Sequence, residues 1–206
     1  MAFRATAGVN LRTTNQDRRP RASLRRGAKT PSPISRGRVD IVKAIVVYES
    51  HWGNTAAVAR AIAEGIGPEA QALSTTEANA AAIAGAELIV AGAPLLGFSL
   101  PTESMVRSLT ANQAKDPTPP DTSHPPMRSW LDALPSGSGR AAAFETRIWW
   151  SPGSAAKTIL ARLGQKGYQP AAAPQRFIVN GKYGPLKEGE LARARSWGAE
   201  LAQGRG

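Results

Sequence analysis

The stretch that decides the fold runs from Ala44 to Thr55 and reads AIVVYESHWGNT. Its first part, Ala44 to Tyr48, is a short apolar run rich in β-branched residues, which is typical of a strand buried on both faces of a parallel sheet. A polar turn follows from Glu49 to Gly53, and apolar residues then recur at helical spacing, at Val58, Ile62 and Ile66. The stretch therefore predicts a buried strand, a tight turn and a helix in direct succession.

The alternation of strand and helix continues along the chain. Further strands are predicted at 71–73, 87–92, 140–144 and 176–179, and further helices at 79–84, from Pro101, around 130–134, at 154–166 and at 190–203. Residues 113–127 hold five prolines, which is too dense for regular structure and predicts a surface excursion. Strands and helices at this spacing predict an α/β fold with a doubly wound, five-stranded parallel sheet in the order 2-1-3-4-5.

The net charge of +11 is concentrated near the amino terminus. Residues 1–42 carry ten of the 26 basic residues and two of the 15 acidic residues, and they lack the spaced apolar residues that form a core. We expect a disordered basic leader or mis-assigned extension at 1–42 and one domain at 43–206. The open interpretations of 1–42 are an extension ahead of a true start at Val42, a tail that contacts an acidic partner, and a targeting peptide. Because residues 43–206 are only mildly basic, their charge argues against nucleic acid as a partner.

Cysteine is absent from the chain, which excludes disulfides, thiolate metal sites and cysteine nucleophiles. Any redox chemistry must then belong to a bound cofactor. Apolar residues make up 42% and charged residues 20% of the chain, which is a globular composition. No apolar stretch approaches the roughly eighteen residues that a membrane span requires. The sequence predicts a soluble, cytoplasmic protein with no membrane partner.

The turn after the first strand carries the chemistry. Ligands of open parallel sheets bind beyond the carboxyl ends of the strands, where the strand order reverses, and this turn, Ser50-His51-Trp52-Gly53-Asn54-Thr55, lies there. The helix that follows offers free N–H groups and a positive dipole end to an anion. The hydroxyls of Ser50 and Thr55 can donate hydrogen bonds, and Gly53 allows close approach of the backbone. The turn lacks the Gly-Lys-Ser/Thr of a P-loop and the three spaced glycines of a dinucleotide turn.

Residues 46–55, with Ala59 and Ile62, resemble the phosphate-loop signature of flavodoxins at each constrained position. These positions are aliphatic, aliphatic, aromatic, Ser, small, Thr, Ala and aliphatic. The resemblance covers residues 43 to 206 and implies the flavodoxin-like strand order, noncovalent binding of flavin mononucleotide (FMN) and one- or two-electron transfer. The form Glu-Ser-x-x-Gly-Asn-Thr is similar to that of stand-alone bacterial flavodoxin-like proteins.

The resemblance also implies two loops beside the flavin ring. They are residues 93–98 and 145–150, and the candidate cofactor contacts in them are Pro94, Leu95, Leu96, Gly97, Thr146, Arg147 and Trp149. The Gly-Asp-Gln ring loop common in flavodoxins is missing, so the phosphate end is specified more clearly than the ring end. The implied partners are a redox protein or a small acceptor such as a quinone, with NAD(P)H as a candidate donor. The alternative is a flavodoxin-like module that has lost the flavin and serves binding or regulation.

Several side chains near the turn have a structural and a functional interpretation. We expect Glu49 to turn away from the anion and to cap a backbone N–H, and His51 to face solvent or phosphate with no acid–base partner. Arg147 could neutralise a reduced flavin or form a surface ion pair, and His124 is expected to be merely exposed. Among the aromatic residues, Trp130 and Trp197 are expected in the core, and the candidates to stack on the flavin are Trp52, Phe98, Trp149 and Trp150.

Overall fold

The strands pair in parallel around β1 (Ala44–Tyr48), which lies between β2 (Ala70–Ser74) and β3 (Leu88–Pro94). β4 (Arg140–Arg147) pairs with β3, and the far edge of β4 pairs with β5 (Gln169–Pro170) and β6 (Gln175–Ile178). The computed structural model describes residues 42–111 and 118–204, so the predicted leader, apart from Val42, lies outside the described residues. The observed order β2-β1-β3-β4-β5 confirms the predicted 2-1-3-4-5.

The fifth position of the sheet is an interrupted strand. β5 and β6 both pair in parallel with β4, at its beginning and at its end respectively. The predicted strand at 176–179 corresponds to β6, and the sequence analysis did not predict β5. The sheet therefore has five positions, the last of which is interrupted between Pro170 and Gln175.

The described residues form six helices close to their predicted places, and the longer ones cover the two faces of the sheet. The short helices are α2 (Ala80–Ile83), α3 (Glu103–Ala111) and α4 (Met127–Ala133), and the longer ones are α1 (Asn54–Ile66), α5 (Ala155–Gln165) and α6 (Glu190–Ala202). Residues 118–126 form no helix or strand, in agreement with the predicted excursion, whose residues 113–117 lie outside the described part. None of the helices in the described ranges has the length and apolar character needed to cross a membrane.

Alternate residues of β1 enter two separate cores. Ile45 and Val47 face the core on the α4 and α5 side, where Trp130 is buried. Ala44 and Val46 face the core on the α1 and α6 side, where Trp197 is buried. The strand is buried on both faces, and both tryptophans are core residues, as predicted.

β3 and β4 extend further than predicted, which corrects the assignment of the two ring-side loops. Pro94 is the last residue of β3, and Glu145, Thr146 and Arg147 are the last residues of β4 rather than loop residues. The polar residues remain in the strand because β6 pairs with this part of β4 and because Arg147 Nη1 donates to Glu145 Oε1 at 2.9 Å. The polar composition of 145–147 therefore reflects a buried ion pair and not a turn.

α1 and α6 cross in close contact through two glycines. A Cβ atom at Gly65 would lie 2.0 Å from the carbonyl oxygen of Arg195, and one at Gly198 would lie 2.2 Å from that of Ile62. No side chain fits at either position unless the helices move apart. This contact fixes α1, whose first turn begins at the sheet edge.

Replacing Gly198 by Ala is expected to lower the free energy of unfolding by about 1–3 kcal/mol, because overpacking forces the two helices apart. The matched control is Gly164→Ala in α5, where an added Cβ meets nothing within 4 Å. That change is expected to stabilise by up to about 1 kcal/mol through helix propensity. Urea denaturation midpoints measure both effects. Equal effects of the two substitutions would contradict the close contact.

Candidate functional site

The turn between β1 and α1 ends in a glycine with left-handed backbone geometry. Gly53 is the N-cap of α1 at φ 82°, and its carbonyl accepts the first helical bond, from Ala57 at 2.9 Å. An L-residue is disfavoured at this φ. The amides of Asn54 and Thr55 come at the helix start, where N–H groups have no acceptor within the helix and the dipole is positive. This end of α1 can therefore bind an anion.

A cleft opens in front of this turn, at the carboxyl ends of β1, β3 and β4. It spans roughly 530 Å³ including its mouth, and it is lined by Ser50, His51, Trp52, Asn54, Thr55, Pro94, Leu95, Leu96, Thr146, Arg147, Ile148, Val179, Gly181 and Lys182. Among the described residues that line it, Arg147 and Lys182 are permanently charged, His51 is titratable, and none is a carboxylate. A lining that combines helix amides, two cations and aliphatic side chains suits a ligand with an anionic group and an apolar body.

Two buried polar atoms of the cleft have neither a hydrogen bond nor an ion-pair contact among the described residues. They are Ser50 Oγ and Arg147 Nε, in side chains that are both buried. Arg147 uses its Nη1 to bind Glu145 and the carbonyl of Gly153, the latter at 3.0 Å. A buried donor without an acceptor costs about 1–3 kcal/mol. A ligand oxygen in the cleft would remove this cost.

The hydroxyl of Thr55 is shared with β4. Thr55 Oγ1 lies 2.8 Å from Thr146 Oγ1, and both side chains are buried. One hydroxyl donates to the other, so one of the two protons stays available for a third acceptor. The pair also joins the first turn of α1 to the end of β4, which fixes the two sides of the cleft relative to each other.

Glu49 caps a backbone N–H, as predicted. It is also an ion-pair partner of His51, which was not predicted from the sequence. The Glu49 carboxylate is fully buried and accepts from the Met127 N–H, the first of α4, at 2.9 Å through Oε2. Its other oxygen, Oε1, lies 3.1 Å from His51 Nε2. The expectation that His51 has no acid–base partner is therefore wrong. The two residues are neighbours because the chain turns directly after β1, which the i, i+2 spacing did not reveal.

His51 is buried between two acceptors. In addition to the Glu49 contact, its Nδ1 lies 2.8 Å from the carbonyl oxygen of Asp121. Burial lowers the pKa of His51, but the contacts with Glu49 and with the Asp121 carbonyl and the negative charges of both residues outweigh it and hold the pKa above its usual 6.5. Acceptors at both ring nitrogens fit the protonated imidazolium form.

The expectation that His124 is merely exposed is also wrong. It is half-buried, and its Nε2 lies 2.9 Å from the carbonyl oxygen of Ser50. Its ring stacks on that of His51 with centroids 5.7 Å apart. The proline-rich composition around His124 indicated a surface segment, but a surface segment can still pack on the turn, and contacts between residues 74 positions apart leave no local signal in the sequence.

Not every predicted contact reaches the cleft. Ser50, His51, Trp52, Asn54, Thr55, Pro94, Leu95, Leu96, Thr146 and Arg147 line it. Gly53 instead lines a second, more open cleft on the β2 side of the turn. Gly97 lies against Met105, and Trp149 is 76% exposed. Because β4 continues to Arg147, the loop after it begins at Ile148. Ile148 lines the cleft, whereas Trp149 does not.

The segment after β6 also belongs to the cleft, which was not predicted from the sequence. Val179, Gly181 and Lys182 line the cleft, and Asn54 Nδ2 holds this segment by donating to the carbonyl of Tyr183 at 2.9 Å. Lys182 Nζ lies 5.7 Å from the centre of the Trp52 ring. The position of this segment in the sequence could have indicated its place in the cleft. β6 is parallel to β1, so its carboxyl end must lie at the same edge of the sheet.

Together, the sheet order and the turn define a flavodoxin-like α/β protein, as the sequence predicted. A flavodoxin from the domain Archaea is 23% identical, with a TM-score of 0.54 over 78% of this chain and 96% of that chain. Flavodoxin 1 from Bacillus cereus is 17% identical, with a TM-score of 0.55 over 78% of this chain and 97% of that one. The flavodiiron core of a Synechocystis protein is 21% identical, with a TM-score of 0.53 over 79% of this chain and 36% of that one.

The structural similarity establishes the fold. No protein-family model and no curated protein sequence matches the chain.

The raised pKa of His51 predicts a stability that falls with rising pH. The folded state binds the proton more tightly than the unfolded state, so this contribution is complete below about pH 6.5 and is lost as the pH rises through the folded pKa. The free energy of unfolding should be lower at pH 8.5 than at pH 6, and His51→Gln should flatten this dependence. The pKa values of Glu77 and Asp121 are lowered and that of Tyr168 is raised. These groups therefore titrate outside the range between pH 6 and pH 8.5. An equal pH dependence in both proteins would contradict the assignment.

Proposed function

We propose that this chain is a cytoplasmic FMN-binding redox protein that transfers electrons to a partner protein or reduces a small acceptor such as a quinone. The observation that carries the proposal is the convergence at one cleft of the α1 amino terminus, the unpartnered buried hydroxyl of Ser50 and the cations Arg147 and Lys182. An anionic group is the ligand that satisfies all of these at once. The flavodoxin-like fold supports FMN as that ligand.

The residues of the cleft fit the two ends of FMN. The phosphate would be held by the amides of Asn54 and Thr55 and by the Ser50 hydroxyl, with Lys182 adding positive charge. The wall formed by Leu95, Leu96, Ile148 and Val179 would receive the apolar flavin and exclude water from it. The ring end thus uses aliphatic residues, whereas the exposed Trp149 and Trp150 lie outside the lining of the cleft.

When bound, FMN would supply one- or two-electron transfer. The residues of this chain would orient FMN and set the charge around it. Arg147 is buried and paired with Glu145, so its positive charge is largely compensated. NAD(P)H or a protein donor would deliver electrons at the open mouth of the cleft.

The colour and flavin content of the purified protein test the proposal. We expect a yellow protein, or a colourless one that takes up added FMN stoichiometrically and quenches its fluorescence. A protein that binds no FMN under any condition would contradict the proposal and favour the flavin-free module.

Replacing Ser50 by Ala should have opposite effects on stability and on binding. The hydroxyl has no partner among the described residues, so its loss should leave the thermal midpoint unchanged or raised. Loss of a hydrogen bond to a charged oxygen should weaken FMN binding about ten- to a hundredfold. Riboflavin, which lacks the phosphate, is the control and should bind as it does to the parent. Unchanged FMN affinity would show that the phosphate lies elsewhere.

Two helix N-caps with the same geometry allow a matched comparison. Gly53 of α1 and Gly189 of α6 both have φ 82°, and an added Cβ meets nothing within 4 Å at either one. Alanine at either position should cost about 1–2 kcal/mol of unfolding free energy through backbone strain. Only Gly53→Ala should also weaken FMN binding, measured by fluorescence titration. If Gly189→Ala weakened it equally, the effect would come from general destabilisation.

A further inference from the structure

A segment with no regular structure is hydrogen-bonded to the turn between β1 and α1. This strap, residues 118–126, runs directly into α4. It bonds to the turn at three residues: Ser50 and His51 through their carbonyls, and Trp52 through Nε1, which donates to the carbonyl of Thr118 at 3.0 Å. The strap is also anchored to the residue after β2, because Thr75 Oγ1 donates to the carbonyl of Pro125 at 2.6 Å.

Two of these bonds are made to consecutive carbonyls of the turn. His124 Nε2 donates to the Ser50 carbonyl at 2.9 Å, and the Asp121 N–H donates to the His51 carbonyl at 2.7 Å. The second contact is reciprocal, since His51 Nδ1 lies 2.8 Å from the Asp121 carbonyl oxygen. The strap thus holds two neighbouring peptide planes at fixed orientations.

The orientation of a carbonyl fixes the N–H of the same peptide group. The Ser50–His51 and His51–Trp52 peptides are trans, so each N–H points opposite to its carbonyl. With both carbonyls turned towards the strap, the N–H groups of His51 and Trp52 point away from it. No residue of the strap, 118–126, lines the main cleft, whereas Ser50, His51 and Trp52 all line it. The two N–H groups therefore face the side on which the main cleft lies.

The orientation of these two peptides decides whether the turn presents N–H groups or carbonyl oxygens to an anion. A peptide rotated by half a turn would present a carbonyl oxygen to the ligand, and a carbonyl oxygen repels a phosphate oxygen. Donors on the strap side remove this alternative.

We propose that His124 and Asp121 are positioning residues that orient the Ser50–His51 and His51–Trp52 peptides so that their N–H groups receive a phosphate monoester. This inference rests on the proposed function in taking that monoester to be the phosphate of FMN. Neither residue touches the ligand, and both act through the backbone of the turn.

The test compares three variants of the full chain. His124→Leu removes the donor to the Ser50 carbonyl, and His124→Gln restores an amide donor. Thr75→Val is the matched control, because it removes a strap bond that does not involve the turn. The dissociation constants of FMN and riboflavin are measured by fluorescence, and that of inorganic phosphate by the amide chemical shifts of residues 52–55. Thermal midpoints show that each variant is folded.

We expect His124→Leu to weaken FMN and phosphate binding about tenfold or more and to leave riboflavin binding within about twofold of the parent. His124→Gln should restore most of the loss, and Thr75→Val should lower the thermal midpoint without changing the ratio of FMN to riboflavin affinity. If His124→Leu kept the parent's FMN and phosphate affinities, or if the valine variant matched its effect, the positioning role would be overturned while the proposed function stood.

Failure of the positioning role and failure of the proposed function give different results. A parent protein that binds phosphate at the turn in a manner dependent on His124, but binds neither flavin, would contradict the proposed function and support the positioning role. A parent that binds neither phosphate nor flavin overturns both. If His124→Leu does not fold, His124→Ala replaces it as the variant without a donor, and the same loss of FMN and phosphate affinity relative to His124→Gln is expected. Equal affinities of the alanine and glutamine variants would overturn the positioning role.

Discussion

Parallel pairing of β1 with β2 on one side and β3 on the other places the ends of all central strands at one edge of the sheet. Every element of the candidate site depends on this register. The turn at Ser50–Thr55 follows β1, Leu95 and Leu96 follow β3, and Thr146 and Arg147 end β4, so all of them line the same cleft. The close crossing of α1 and α6 at Gly65 and Gly198 then fixes the helix whose amino terminus faces this cleft.

Two fully buried carboxylates stabilise this edge in the same manner. Glu49, directly after β1, accepts from the first N–H of α4, and Glu145 in β4 accepts from the Ala156 N–H near the start of α5 at 2.9 Å. A buried carboxylate is costly unless hydrogen bonds and opposite charge compensate it. Here helix amides do so, with His51 beside Glu49 and Arg147 beside Glu145. Charged residues that looked like part of the binding chemistry thus build the frame around the cleft.

The sequence was most informative where the signal is local. The limits of β1 and the turn at Ser50 to Thr55 follow from a β-branched apolar run and a polar turn before a periodic helix, and the structure places both as predicted. The end of β4 was missed because Glu145 and Arg147 form an internal ion pair, which composition does not distinguish from a polar loop. The contacts of Asp121 and His124 with the turn join residues about seventy positions apart. Such contacts arise only from the tertiary fold.

We propose above all that the amino terminus of α1 and the turn before it hold the phosphate of FMN. A crystal structure of the protein with FMN tests this proposal most directly. We expect phosphate oxygens within hydrogen-bond distance of the Asn54 and Thr55 amides and of Ser50 Oγ, with the flavin against Leu95, Leu96 and Ile148. A flavin whose phosphate lies away from this turn, or a turn whose Ser50 or His51 carbonyl faces the ligand, would contradict it.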